Sequence, residues 1–303
     1  MSKAMVYNGY TFVSNNFMAI LDHHEVPEAY HTMQDYLSCG PLAYALTQPE
    51  KFSAKACIQI WSTLNIDDAK ALKFTYNSTE YTITKEVIAA ALKLETDTSF
   101  IESYSDGDVR QWLSQLGYNG DLQRLGKLLR ARMRKEWNFF FDCIGKAFTN
   151  KCSNFDALTQ LTQQIGYGLL NNAILDIPTY LLEFIRSRNA ENPQVIYFPR
   201  FLHLIFFHLC QNVTFENDER LPAHTNSARS WADMNKDEKH GFVSTIEYPP
   251  AMMALLQERM PEIYGARAQD TSESVPLCPT QAHNPNSPNT HLPPLVPPKR
   301  GQL

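Results

Sequence analysis

Apolar positions recur most densely between Trp137 and Val213, and their spacing is helical. Trp137, Phe140, Phe141, Ile144 and Phe148 fall on one face of a helix, and Leu158, Leu161, Ile165 and Leu169 repeat the pattern after a short break. Leu181, Leu182 and Ile185 follow Pro178. After Pro199, the run Phe201, Leu202, Leu204, Ile205, Phe206, Phe207 and Leu209 is apolar nearly all round. Such a segment predicts a central, buried helix. His203 and His208 interrupt it, so it falls short of the roughly 18 consecutive apolar residues of a membrane span.

Upstream, Phe12, Phe17, Ile20 and Leu21 suggest a first helix or an irregular docking segment. Pro27 suits a first helical position, since its missing N–H would be unpaired there anyway, and Tyr30, Met33 and Leu37 line that helix up to Gly40-Pro41. Pro49 is expected to open the next, with Phe52, Ala56, Cys57, Ile60 and Leu64 as its stripe. The period then changes to two. Phe74 and Tyr76, a turn at Asn77-Ser78, and Tyr81 and Ile83 read as a β-hairpin. Thr84 caps a following helix, with Ile83 stapled onto Ile88 and Glu86 near the positive end of the helix dipole. Ser105 and Asp108 introduce a further helix through Val109, Trp112, Leu113 and Leu116, ending at Gly117.

Past Val213 the texture becomes polar, and prolines crowd the stretch from Pro249 onward among Ser, Thr, Asn and Gln. Such composition buries too little apolar area to offset chain entropy. A short helix over Met252 to Met260 is the exception. The expected architecture is therefore mainly α: a single helical domain over 10–213 with one small β-hairpin, and a polar, Pro-rich, largely disordered tail over 214–303.

Composition adds limits rather than a function. At 303 residues, with 44% hydrophobic and 12% aromatic, the chain can build a substantial core. A net charge of -5 argues against wholesale coating of nucleic acid. Cys39, Cys57, Cys143, Cys152, Cys210 and Cys278 are scattered singly, with no CxxC pair. That suits reduced thiols in an intracellular protein, cytoplasmic or nuclear, and the first ten residues lack the pattern of a secretory signal.

Candidate chemistry is sparse. Gly120 to Lys127 is the nearest phosphate loop, but five residues separate its glycines and Leu128 stands where Ser or Thr should hold magnesium. No HExxH, GxSxG or GxGxxG occurs. His203, His208 and Cys210 invite a metal reading, yet the histidines are five apart, off the one-turn spacing that shares a face. His23-His24 is weaker still. Gly166-Tyr167-Gly168 costs helix stability, about 1 kcal/mol per glycine, which either close helix approach or a ligand against bare backbone would explain. Asp142, Asp156 and Asp176 show no spacing that commits two to one metal. No cofactor and no catalytic residue is expected.

The single basic run is Arg124, Lys127, Arg130, Arg132, Arg134 and Lys135. Read as a helix over 124–135 anchored by Leu125, Leu128 and Leu129, it places Lys127, Arg130 and Arg134 on one outward face, for phosphates or an acidic partner.

An ordered series runs through the chain: Phe74-Thr75-Tyr76, Tyr81-Thr82-Ile83-Thr84-Lys85-Glu86-Val87-Ile88, Ala91-Leu92-Lys93-Leu94, Leu116-Gly117-Tyr118, the Trp137 helix, and Tyr197-Phe198-Pro199-Arg200-Phe201-Leu202. From about Phe17 to Val213 it resembles the plant transposon protein domain found in open reading frames associated with plant LTR retrotransposons. The resemblance implies a mobile-element-derived protein without established catalytic residues. Zinc-knuckle, retroviral-type protease and polymerase motifs are absent from the sequence. Three function classes follow: a non-enzymatic, gag-like or accessory assembly module partnering itself or other retroelement proteins; a weak, sequence-independent RNA- or DNA-binding module using the basic run; or a divergent transposase or nuclease. No membrane partner is expected.

Overall fold

A computed structural model describes residues 4–24, 26–66, 71–94, 104–149, 156–171, 175–215, 218–228 and 246–265, all within one compact unit, Met1–Gly265. Part of the Pro-rich tail, 266–303, lies outside the described residues.

The expectation of a single helical domain with one hairpin needs correction. Of the described residues about 53% are helical and 16% strand, and their strands form four small sheets. β1 (Met5–Tyr7) and β2 (Tyr10–Phe12) are an antiparallel hairpin, and the stretch from Thr11 to Leu21, expected as a first helix or an irregular docking segment, is not helical. The hairpin's turn is Asn8-Gly9, both at positive φ (47° and 80°), a pair that favours the tight turn matching strand twist. β3 (Met18–Ile20) follows. Lys51–Ser53 is β4, paired through Phe52 and Leu221 with β9 (Arg220–Pro222), so Pro49 does not open a helix. β5 (Asn65–Ile66) joins the expected hairpin of β6 (Leu72–Tyr76) and β7 (Thr79–Ile83), where Asn77 and Ser78 turn at φ 48° and 62°. β8 (Val195–Ile196) runs parallel to β2, and β10 (Thr225–Ser227) parallel to β3. Strands this short carry little periodicity, and most find partners far away in sequence.

Among the described residues the α-helices are α1 (His31–Cys39), α2 (Ala43–Thr47), α3 (Ala54–Thr63), α4 (Lys85–Leu92), α5 (Asp106–Gln115), α6 (Lys135–Phe148), α7 (Gln160–Leu170), α8 (Ile177–Glu191), α9 (Pro199–Leu209), α10 (Pro250–Arg259) and α11 (Pro261–Tyr264). Thr84 caps α4 and Ser105 caps α5, each accepting the N–H three residues on. In α6, Trp137, Phe140, Phe141, Ile144 and Phe148 are buried together. α9 is the centre. Phe201, Leu202, Ile205 and Phe206 are buried, and the helix packs on α3 and α4.

The N-terminus of α9 is built by the segment before β3. Phe198, at φ 52°, offers no side-chain cap. Instead Asn15 Oδ1 accepts from Phe198 N–H and Asn16 Oδ1 from Phe201 N–H, both at 3.2 Å, so two donors at the start of the helix are served from 183 and 185 residues away in the sequence. The Arg200 side chain, fully buried, reaches back to the same segment, donating to Asn16 O at 2.7 Å, Phe17 O at 2.8 Å, Ala45 O at 3.0 Å and also to Gln48 O. Ala45 O lacks its usual helical donor because the residue four ahead is Pro49, which has no N–H. One guanidinium thus ties the segment before β3, α2 and α9 together.

Candidate functional site

The basic run is not a helix. Leu125–Lys127 and Arg130–Arg132 are separate 3-10 turns, Leu128 and Leu129 are extended between them, and α6 begins only at Lys135. Tertiary pairing overrides local propensity. Leu129 bridges to Ala157, Arg130 N–H donates to Asp156 O at 2.7 Å, and Leu158 N–H donates to Leu128 O at 2.8 Å. The shared face expected of Lys127, Arg130 and Arg134 therefore does not form. Leu125 and Leu128 turn inward as expected, but Leu129 is 44% exposed.

The six cations divide into two sets. Arg130 is largely buried and ion-pairs with Asp142, with Asp156 at 3.8 Å. Arg134, against Gly117, and Lys135 are half-buried and engaged by neighbours. Arg124, Lys127 and Arg132 are exposed. The loop presenting these three is held firmly: Asn119 N–H donates to Arg132 O at 2.9 Å, Leu129 N–H to Tyr118 Oη at 3.1 Å, Arg110 Nε to Leu122 O at 3.1 Å, and Gln163 Nε2 to Leu125 O at 2.9 Å.

Beneath the loop lies a cleft of ≈ 230 Å³, counting space open to solvent, lined by Arg130, Asp142, Lys146, Thr149, Thr159 and Thr162 among others. Lys146 Nζ donates to Asp142 Oδ2 and to Asn226 Oδ1, each at 2.7 Å. Asn226 Nδ2 in turn reaches Cys143 Sγ at 3.4 Å. Burial pushes the Cys143 thiol well above its ordinary range, with Asp142 adding to the effect. A protonated, enclosed thiol is a poor nucleophile. Asp142 is ion-paired with both Arg130 and Lys146, so the carboxylate and the two cations already answer one another.

Ser53, His203 and Asp218 also meet, but not as a nucleophilic triad. Ser53 Oγ caps α3 by accepting from Ala56 N–H at 3.0 Å and donates to Asp218 Oδ1 at 2.7 Å. His203 Nδ1 accepts the backbone N–H of Ser53 at 3.1 Å rather than its hydroxyl proton. A triad needs the base on the hydroxyl and the carboxylate on the base; here the carboxylate takes the hydroxyl. Burial, and secondarily Arg220, push the His203 pKa down to about 4, against an opposing pull from Asp218. No family model, curated protein or solved structure matches this chain.

The other sequence candidates disperse. His208 is exposed while His203 and Cys210 are buried, and no group of three or more His, Cys, Asp or Glu able to hold a metal occurs among the described residues. His24 is exposed, whereas His23 stacks on His31 at 4.1 Å and faces Asp35 at 3.0 Å. Gly166 is explained by packing: a Cβ there would stand 2.5 Å from Phe141 Cε1, so the glycine lets α7 close on α6. Cys39, Cys57, Cys143 and Cys210 are free thiols, and Cys152 and Cys278 lie outside the described residues. No helix among the described residues is long and apolar enough to cross a membrane.

Two groups escaped the sequence reading. Arg200 carried one faint signal, a lone cation on a helix apolar nearly all round. The Asp35–Tyr264 hydrogen bond, 2.6 Å and buried, joins residues 229 apart and had none.

Proposed function

We propose that this chain is a non-enzymatic assembly or interaction protein, gag-like or accessory in role, of the kind found with plant LTR retrotransposons. The observation that carries this reading is the disposition of Ser53, His203 and Asp218. Three residue types suited to acyl transfer are brought together, yet the Ser53 hydroxyl caps α3 and donates to Asp218 while His203 takes only the backbone N–H of Ser53. Asp142, Arg130 and Lys146 are likewise spent on one another. The ordered resemblance to the plant transposon protein domain supports the same role, with further copies of the chain or other retroelement proteins as partners. Light scattering behind size-exclusion chromatography tests it. Masses above the 34.6 kDa of one chain, rising with concentration, are the expected result, and an invariant monomer that hydrolyses acyl or phosphoryl model substrates would overturn it.

A second reading is favoured by one observation: the firmly held loop that exposes Arg124, Lys127 and Arg132 together. Such a loop contacts successive phosphates of RNA or DNA weakly and without sequence preference. Three contacts give a log K against log salt slope of roughly -2 to -3. A titration with single-stranded RNA and duplex DNA at several salt concentrations measures that slope, and salt-independent or absent binding refutes the reading.

A further inference from the structure

Residues 246–265 lie against α1, α6 and α7 of their own chain. Among the described residues the segment's backbone pairs only with itself: Met253 N–H donates to Pro249 O, Met260 N–H to Leu256 O, Tyr264 N–H to Met260 O and Gly265 N–H to Pro261 O. β9 and β10, by contrast, are joined to β4 and β3 by backbone pairing. Side chains alone hold the segment down. Of residues 246–265 only Met252, Leu256 and Tyr264 are buried, fewer than in α9 alone. Tyr248 adds an edge-on contact with Trp137, ring centroids 6.2 Å apart. At the far end Tyr264 Oη donates to Asp35 Oδ2 at 2.6 Å. The other oxygen of that carboxylate faces His23 Nε2 at 3.0 Å, and His31 stacks on the same imidazole. A hydrogen bond to an ionised acceptor is stronger than one between neutral groups. Burial, and then the Asp35 bond, push the Tyr264 phenol above its ordinary range, so it remains the donor.

We infer that residues 246–265 form a strap that lifts off the α1–α6–α7 face as a unit while the rest of the fold stays intact, with the Tyr264–Asp35 hydrogen bond as its clasp. Local opening is easiest where few apolar contacts are lost. Lifting the strap breaks no backbone pairing with the body, withdraws three buried side chains and one strong hydrogen bond, and uncovers Trp137. Once lifted, helices of ten and four residues are too short to persist in water, so their amides exchange with solvent. The strap thus switches the Trp137 face between covered and bare, whether or not the chain assembles.

Hydrogen exchange on the full chain tests this. In the wild type the amides from Met253 to Met260 should exchange together and faster than those of α6 and α9. Exchange only in step with α6 and α9 would overturn the inference, because the segment would then open only when the whole fold does. M252D combined with L256D should strip protection from Met253 to Met260 and leave α6 and α9 protected. Loss of protection in all three would equally overturn it. Y264F keeps the ring and removes the clasp, so it should speed exchange from Met253 to Met260 at least about tenfold, the loss of one hydrogen bond to a charged group. Exchange there at the wild-type rate would refute the clasp.

Discussion

Replacing Arg200 with Met removes the donor from four backbone carbonyls while nearly keeping side-chain volume. Burial pushes the Arg200 pKa down to about 9, still above neutrality, so the guanidinium is charged when it donates to Asn16, Phe17, Ala45 and Gln48. Hydrogen bonds to charged groups contribute about 1.5–3 kcal/mol each. Their sum overstates the loss, because desolvating the cation already costs several kcal/mol and Met escapes that cost. What Met cannot do is satisfy four carbonyls, and at about 1 kcal/mol for each buried acceptor left unpaired the loss comes to about 4 kcal/mol. Lys, with three donors on one atom, cannot span acceptors contributed by the segment before β3, α2 and the residue before Pro49, so R200K should recover only part of it. Urea unfolding followed by circular dichroism measures both, with constant m-values licensing the comparison. A loss below about 1 kcal/mol for R200M would mean that water serves those carbonyls, and the account of Arg200 as the tie among three elements would be wrong.

Other outcomes follow from single contacts. G166A should destabilise by about 1–2 kcal/mol, because overpacking against Phe141 outweighs the roughly 1 kcal/mol that alanine gains in a helix; a stabilised variant in the same urea assay would show that α6 and α7 have room to spare. The folded-state pKa of His203, about 4, lies below its unfolded value. The unfolded chain thus binds the extra proton between about pH 6.5 and 4, and stability falls as pH drops through that window by up to about 1.4 kcal/mol per unit. H203N, which keeps an acceptor for Ser53 N–H, should flatten the profile, and an unchanged profile would exclude His203 as its source. R124E, K127E and R132E together should leave the unfolding midpoint within error while abolishing salt-sensitive nucleic-acid binding. R130E alone should destabilise by about 3 kcal/mol, since it sets a buried acid against Asp142.

The helices from α3 to α9 were largely legible because their stripes are long and their caps are local: Thr84, Ser105 and Pro199 mark starts that need no tertiary information. Of the strands, the β6–β7 hairpin was legible too, from Phe74, Tyr76, Tyr81 and Ile83 alternating about Asn77-Ser78, and the rest were not. β4 and β9 pair across more than 160 residues through Phe52 and Leu221, which no window of sequence can join. Asn8-Gly9 is a further local hairpin signal, present in the sequence and passed over. In α7 the apolar stripe of Leu161, Ile165 and Leu169 gave way to a buried face that includes Thr162, Gln163 and Gln164. Gln163 and Gln164 turn inward because they bind the backbones of Leu125, Leu158 and Tyr104. The same cause defeated the basic helix: Arg130 N–H and Leu128 O pair with Asp156 and Leu158, and the bonds the run makes within itself, such as Lys127 N–H to Arg124 O and Arg132 N–H to Leu129 O, close only isolated turns.

Sedimentation velocity on the full chain, from micromolar to near-millimolar concentration and at low and physiological salt, addresses the assembly role most directly. The account predicts a weight-average mass that climbs from 34.6 kDa with concentration and persists at physiological salt, as apolar and buried hydrogen-bonded contacts would. A single 34.6 kDa species at every concentration and salt would contradict it.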